Sequence, residues 1–307
     1  MSYLSRRRFG GLIAGLVASV PLGCLAQASN KRIKVLLLTG QNNHSWQRTT
    51  PLIEDILKET RLFQVEISMT PPQGAEPEVW ATWRPNFTQF DVVLSNYSGD
   101  LWPQAVQNRF VSYIEDGGSA LILHAANNAF ESWVPYEAMV GLLWRDSTYG
   151  ERIYFDEAEA LVRVPVGQGP SAGHSNVHDW PVVVRDKQHP IMNEMPPVWM
   201  HAHDELYHSQ RGPARNMNLL ASAYSSEENG GTGHHEPVVW WIPYGKGKVL
   251  TCLLGHLWPT QEEITAYRCI GFRTLLSRCT EWLATDQVSI PIPKNFPTAE
   301  QTSLVDL

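Results

Sequence analysis

The 307-residue chain is short of cysteine and of charge, with four cysteines and 18% charged residues against 43% hydrophobic. A disulfide scaffold needs a denser set of cysteines. A chain this apolar is not disordered, because burial offsets the entropy of ordering. Basic charge is also lacking: the formal net charge is −7, which excludes non-specific nucleic-acid binding. Several motifs are missing as well. No G-x-G-x-x-G follows the first apolar run, and no G-x-x-x-x-G-K-[ST] loop occurs, so a nucleotide cofactor is not expected. No G-x-S-x-G stands at a strand-to-helix turn as a nucleophile elbow, since the string Gly169-Pro170-Ser171-Ala172-Gly173 lies in a Gly- and Pro-rich loop, and H-E-x-x-H and C-x-x-C are absent. No cysteine stands at a strand end ahead of a helix, so a covalent thiol mechanism lacks its nucleophile.

What the chain does have begins with an address. Residues 1–28 read as an export signal: Arg6, Arg7 and Arg8, an apolar stretch from Gly10 to Leu22, and Ala26-Gln27-Ala28 as a cleavage site. Ser5-Arg6-Arg7-Arg8-Phe9 resembles the twin-arginine motif, which places the mature protein in the periplasm or otherwise outside the cytoplasm. The competing readings are an uncleaved anchor and lipidation at Cys24. The apolar run is short for a membrane span, so none is expected in the mature chain. Cleavage removes three arginines and no acid, which moves the net charge from −7 to −10. Cys252, Cys269 and Cys279 remain. Ten helical residues rise roughly 15 Å, so Cys269 and Cys279 are not spaced as a disulfide, and all three read as buried thiols.

Apolar runs at 32–40, 63–69, 90–96 and 119–124 alternate with helical patterns at 49–60, 103–116 and 133–144. That order predicts an α/β fold with a parallel sheet. Short strands at 163–166, 180–184, 219–223 and 237–241 follow, then a buried strand at 248–254 and a long helix at 262–284. Residues 32–285 therefore read as one α/β domain, and 286–307 as a surface tail.

In open α/β sheets, ligands sit beyond the carboxyl ends of the strands. Those ends carry His44 after the first strand, Asn96 and Tyr97 after the third, His124 and Asn127 after the fourth, and His256 after the strand at 248–254. A second group is His201-Ala202-His203-Asp204-Glu205-Leu206-Tyr207-His208. On a strand, His201 and His203 would share a face, and Asp204 and Glu205 would point oppositely. Each histidine taken singly also reads as an ordinary hydrogen-bonded core or surface residue.

Segments 36–46 (LLLTGQNNHSW), 119–130 (SALILHAANNAF), 182–191 (VVVRDKQHPI), 203–208 (HDELYH), 236–250 (EPVVWWIPYGKGKVL) and 253–256 (LLGH) together resemble the ThuA-like (trehalose utilisation) family. The resemblance implies a flavodoxin-like, class I glutamine amidotransferase-like three-layer sandwich with a mostly parallel sheet. In that superfamily the fourth strand ends in the nucleophile elbow. Here His124-Ala125-Ala126 stands there, so glutaminase activity is not expected. The family is associated with sugar metabolism, especially oxidised (3-keto) sugars and glycosides.

Two functions follow. In the first, the protein is an exported carbohydrate-active hydrolase, lyase or isomerase. His124, His256, Glu205 and Asp204 are its candidate catalytic residues, and His44, Trp46, Asn96, Tyr97, Asn127 and Tyr207 its substrate-binding residues. Trp102, Trp133 and Trp258 add aromatic faces for a sugar ring. A His or carboxylate removes the acidic proton beside a keto group. A divalent metal such as zinc, held by His44, His124 and His256, would serve the same chemistry. In the second, the chain binds sugar without turnover or serves as the partner subunit of an exported oxidoreductase; a homo-oligomer is compatible with either reading.

Overall fold

Strand-forming runs buried on both faces alternate with amphipathic helices through the first half of the chain, and this sets the architecture. The computed structural model describes residues 32–306; the segment 1–28 read as an export signal lies outside them. The elements in chain order are β1 (Ile33–Thr39), α1 (Trp46–Glu59), β2 (Phe63–Met69), α2 (Pro77–Trp80), β3 (Val92–Ser95), α3 (Gln104–Glu115), β4 (Ser119–Leu123), α4 (Val134–Val140), β5 (Arg152–Phe155), β6 (Leu161–Val164), β7 (Gly173–His174), β8 (His178–Val184), β9 (Val198–Asp204), β10 (Tyr207–His208), β11 (Asn218–Tyr224), β12 (His235–Tyr244), β13 (Gly247–Cys252), α5 (Thr265–Arg268) and α6 (Ile270–Thr285).

The main sheet runs β2-β1-β3-β4-β13-β12-β11-β8-β9. From β2 to β13 every pairing is parallel, in the flavodoxin-like order. From β13 onward the pairings to β12, β11, β8 and β9 are antiparallel. The parallel strands feed two cores. Val35 and Leu37 of β1 pack with α1 and α6, while Leu36 and Leu38 pack with α3 and α4. This is the period-two alternation of a strand covered on both faces, and it gives the three layers.

Three local expectations are corrected. The helix expected over 133–144 stops at Val140, because Gly141 takes φ +79° and a side chain there would meet Ile242 Cδ1 at 2.5 Å. The helix expected over 262–284 is two helices. Cys269 between them is extended, at φ −60° and ψ 116°, and bridges Leu304 of the C-terminal segment. His201 and His203 do not share a face: His203 takes φ +43°, so His201 is buried and His203 exposed.

Residues after α6 are strapped to the helix layer. Ser289 and Ile290 donate backbone N–H groups to Glu281, and Val305 N donates to Arg268 O. The three cysteines among the described residues are free and buried. No helix among the described residues is long and apolar enough to cross a membrane.

Candidate functional site

Four backbone turns bring the site together. β1 ends at Thr39, and Gly40 at φ +123° turns the chain against Thr70, whose Oγ1 would lie 2.5 Å from a Cβ there. The following loop is pinned when Ser45 N donates to Leu257 O at 2.9 Å. His44 is thereby tied to the segment that carries His256. β4 ends at Leu123, and His124 takes φ +44°, a strained conformation for a residue with a Cβ. A 3-10 turn over His124–Asn128 follows. The sharp strand-to-turn bend is thus present, but it presents an imidazole. β13 leads through Gly255, at φ +102°, to His256. β9 delivers Asp204 and, one residue on, Glu205.

The rings of His44, His124 and His256 lie 4.8, 5.1 and 5.5 Å apart, centroid to centroid. Trp258 stacks on His44 at 4.5 Å, and Tyr207 lies 4.4 Å from His124. His44, His124, His256, Glu205 and Tyr207 are all buried. The rim is more open. His174 Nδ1 is 3.4 Å from Glu205 Oε1 with its side chain 39% exposed. Trp144 lies 5.8 Å from His174 and 4.7 Å from Tyr207.

The hydrogen bonds fix which nitrogens carry lone pairs. His124 Nδ1 is 2.6 Å from Leu253 O. A carbonyl only accepts, so Nδ1 holds the proton and Nε2 the lone pair. His44 Nδ1 faces Asn43 Oδ1 at 3.1 Å and Asn42 Oδ1 at 3.3 Å. Asn42 is oriented by its own bonds: Nδ2 donates to Asn96 O, and Oδ1 accepts from His44 N. His44 Nε2 is therefore a lone pair too. Glu205 Oε1 accepts from Trp258 Nε1 at 2.6 Å. Five atoms are left over: His44 Nε2, His124 Nε2, Glu205 Oε2 and both ring nitrogens of His256 have no hydrogen-bond partner among the described residues. A buried polar group left so costs about 1–3 kcal/mol.

Burial keeps this cluster poor in charge. Burial lowers the pKa of all three imidazoles; beside it, the His124 ring disfavours charge on His44 and His256, and His256 falls to about 3. Asp204 partly opposes the shift at His124. Burial pushes Glu205 up, against the Trp258 N–H that favours its ionised form. Tyr207 is raised well above the ordinary phenol range by burial.

Asp204 does something different. Its Oδ2 meets His201 Nε2 at 2.6 Å and accepts from Gly255 N at 2.8 Å; its Oδ1 accepts from Glu205 N at 2.8 Å and His256 N at 3.1 Å. Burial works to raise this carboxyl, but the His201 hydrogen bond and charge outweigh it and hold Asp204 below the usual range. All its lone pairs hold backbone and His201, so Asp204 positions Glu205 and His256 and leaves reaction chemistry to them.

Of the other expected binding residues, Asn96 donates to Thr49 Oγ1 at 2.9 Å and supports Asn42 from below. Tyr97 donates to Asp100 O at 2.7 Å and packs on Phe130. Asn127 donates to Gln210 Oε1 at 2.7 Å, with its Oδ1 unpartnered among the described residues. Trp46 opens α1 and is half-buried, while Trp102 and Trp133 lie in the aromatic core beside α3 and α4. The structure thus gathers His44, His124, His256, Glu205, Tyr207 and Trp258, and gives Asn96 and Tyr97 framework bonds. Sequence reasoning missed Asn42 and Asn43, Trp144 and His174. The asparagines had a signal, since they lie in the same strand-end loop as His44. His174 had none, because the pairing of β7 with β10 that seats it is unmarked in the sequence.

Residues 34–283 match the family model described as ThuA, trehalose utilisation. A ThuA-like protein from Parabacteroides merdae is 36% identical, with a TM-score of 0.84 over 90% of this chain and 98% of its own. A ThuA-like protein from Bacteroides uniformis is 15% identical, with a TM-score of 0.54 over 89% of this chain and 98% of its own, a likeness of fold alone. No curated protein sequence matches the chain. With the match spanning nearly all of the described residues, the chain belongs to the ThuA (trehalose utilisation) family.

Proposed function

We propose that the protein is an exported enzyme of carbohydrate utilisation that acts on an oxidised sugar, a 3-keto glycoside or disaccharide. The observation that carries this reading is the buried convergence of His44, His124, His256 and Glu205 with their lone pairs unengaged. The family supplies the carbohydrate context.

A sugar carrying a ketone has an acidic proton on the neighbouring carbon. His124 is suited to take it: its Nδ1–H is held by Leu253 O, and its Nε2 is neutral and free. In a 3-keto glycoside, loss of the C2 proton forms the C1–C2 double bond as the C1–O bond breaks. The departing glycosidic oxygen takes back the proton that His124 Nε2 has accepted, so one imidazole serves first as base and then as acid. Asp204 holds the backbone of Glu205 and His256 in register through this step. Tyr207, Trp144 and Trp258 supply aromatic faces against which a sugar ring packs. Action outside the cytoplasm rests on the twin-arginine segment.

The test is turnover of a panel of 3-keto glycosides and disaccharides by the mature protein, with His124→Ala alongside. The expected result is turnover in the wild type, lost in the variant while sugar affinity is kept. Sugar binding without turnover of any panel member would overturn the enzyme reading in favour of a non-catalytic sugar-binding subunit.

A further inference from the structure

We infer that His44, Glu205 and His256 hold a divalent transition cation of the zinc class. This deepens the proposed function and rests on that reading only for what the cation does, not for its being bound.

Three observations carry it. The first is convergence. One ligand atom from each of His44, Glu205 and His256 lies within 4.8 Å of the other two. A centre equidistant from three such atoms is within about 0.7 Å of zinc bonding distance, a small side-chain adjustment. So narrow a gap suits one shared atom better than a sugar ring. The second is the unpaired atoms themselves: His44 Nε2, Glu205 Oε2 and the ring nitrogens of His256 are buried and without partners among the described residues. Each of the three residues can thus offer one lone pair within that 4.8 Å spacing, His256 keeping its proton on its other ring nitrogen. The third is how the side chains are held from behind. A metal-binding imidazole donates its far N–H to an oxygen, and a ligating carboxylate accepts an outer hydrogen bond. His44 Nδ1 faces Asn42 and Asn43 Oδ1, and Glu205 Oε1 accepts from Trp258. Trp258 also stacks on His44, so one indole braces two of the three residues.

The donor set names the class of ion. Two imidazoles and one carboxylate suit zinc and its first-row neighbours, while magnesium and calcium favour all-oxygen shells. The sequence alone pointed to His44, His124 and His256. The geometry puts Glu205 in the place of His124, which stands beside the three with its own Nε2 free. That division leaves one imidazole for proton transfer next to an ion able to polarise a sugar carbonyl.

The test begins with elemental mass spectrometry on the mature protein, followed by calorimetric titration of Zn2+ into chelator-treated protein. His44→Ala, Glu205→Gln and His256→Ala are compared with His203→Asn, an exposed histidine that is not one of the three. Circular dichroism melts confirm that each variant folds. The expected result is stoichiometric Zn2+ in the wild type and His203→Asn, with affinity lower by about 100-fold or more in the three cluster variants. The inference is overturned if folded wild type takes up no Zn2+, Mn2+, Co2+, Ni2+ or Fe2+, or if the cluster variants bind as the wild type does. Stoichiometric Zn2+ with no turnover of any keto sugar would sink the proposed function and leave the metal site standing. Turnover by metal-free protein that cannot bind Zn2+ would do the reverse.

Discussion

Asp204 and Glu205 adjoin in the chain, and both are buried, yet their surroundings are opposite. Asp204 spends its oxygens on four partners: His201 and the backbone N–H groups of Glu205, Gly255 and His256. Glu205 has one strong partner, Trp258, and one oxygen with none among the described residues. The region around Asp204 is a knot that ties β9 to the loop after β13. The region around Glu205 is a cluster of lone pairs. A fully satisfied buried carboxylate is structural, whereas one that stays unsatisfied beside three neutral imidazoles calls for a guest.

The sharpest way to break this comparison is to remove each carboxylate in turn. Asp204→Ala leaves three buried N–H groups and His201 without their acceptor. A loss of about 3–5 kcal/mol is expected, read from the midpoint of urea unfolding. Glu205→Gln removes a charge whose burial is unfavourable, so its stability change without metal should stay within about 1 kcal/mol of wild type, in either direction. Equal losses in the two variants would erase the distinction.

A second variant probes the brace behind Glu205. Trp258→Phe keeps an aromatic ring over His44 but deletes the N–H donated to Glu205 Oε1. Zn2+ affinity should fall about 10–100-fold by calorimetry, less than for loss of a ligand. An unchanged affinity would show that Trp258 packs without orienting.

The smallest effect is a pH limb that belongs to the knot. Burial disfavours charge on His201, but Cys269 and Asp204 outweigh it and push its pKa up to about 9. A raised histidine contributes stability that is complete below its unfolded pKa of about 6.5 and is lost as pH rises through the folded value. Urea midpoints should therefore decline between pH 7 and pH 9 and level off above that. Cys269→Ala removes the first of the two supports, so the decline should shift to lower pH. Asp204, held below the usual range, contributes stability that is lost only as pH falls below about 4.

The parallel half of the fold was legible because its inner strands are largely buried on both faces and read as unbroken apolar runs, while the edge strand β2 shows plain alternation. Three of those runs end at a histidine or a loop that carries one, so His44, His124 and His256 could be named from the switch-point rule alone. The choice between Asp204 and Glu205 was not legible. Strict alternation assumes an unbroken strand, and the left-handed turn at His203 resets the faces just before these residues. Asn96 and Tyr97 followed the same strand-end rule yet took framework bonds, because the loop after β1 lies directly over them and needs support. Trp102 and Trp133 were misplaced for a related reason: a tryptophan beside a motif packs inward as readily as it lines a site. His174 reaches the rim through a two-residue pairing with Tyr207, a long-range contact that local patterning does not encode.

The most direct test of the central claim is urea unfolding of wild type and Glu205→Gln, each with and without saturating Zn2+. A ligand that binds only the folded state raises stability by mass action, about 2.7 kcal/mol at a hundredfold excess over Kd. The account predicts that Zn2+ raises the wild-type midpoint and leaves that of Glu205→Gln nearly unmoved. Equal shifts in the two proteins, or no shift in the wild type, would contradict it.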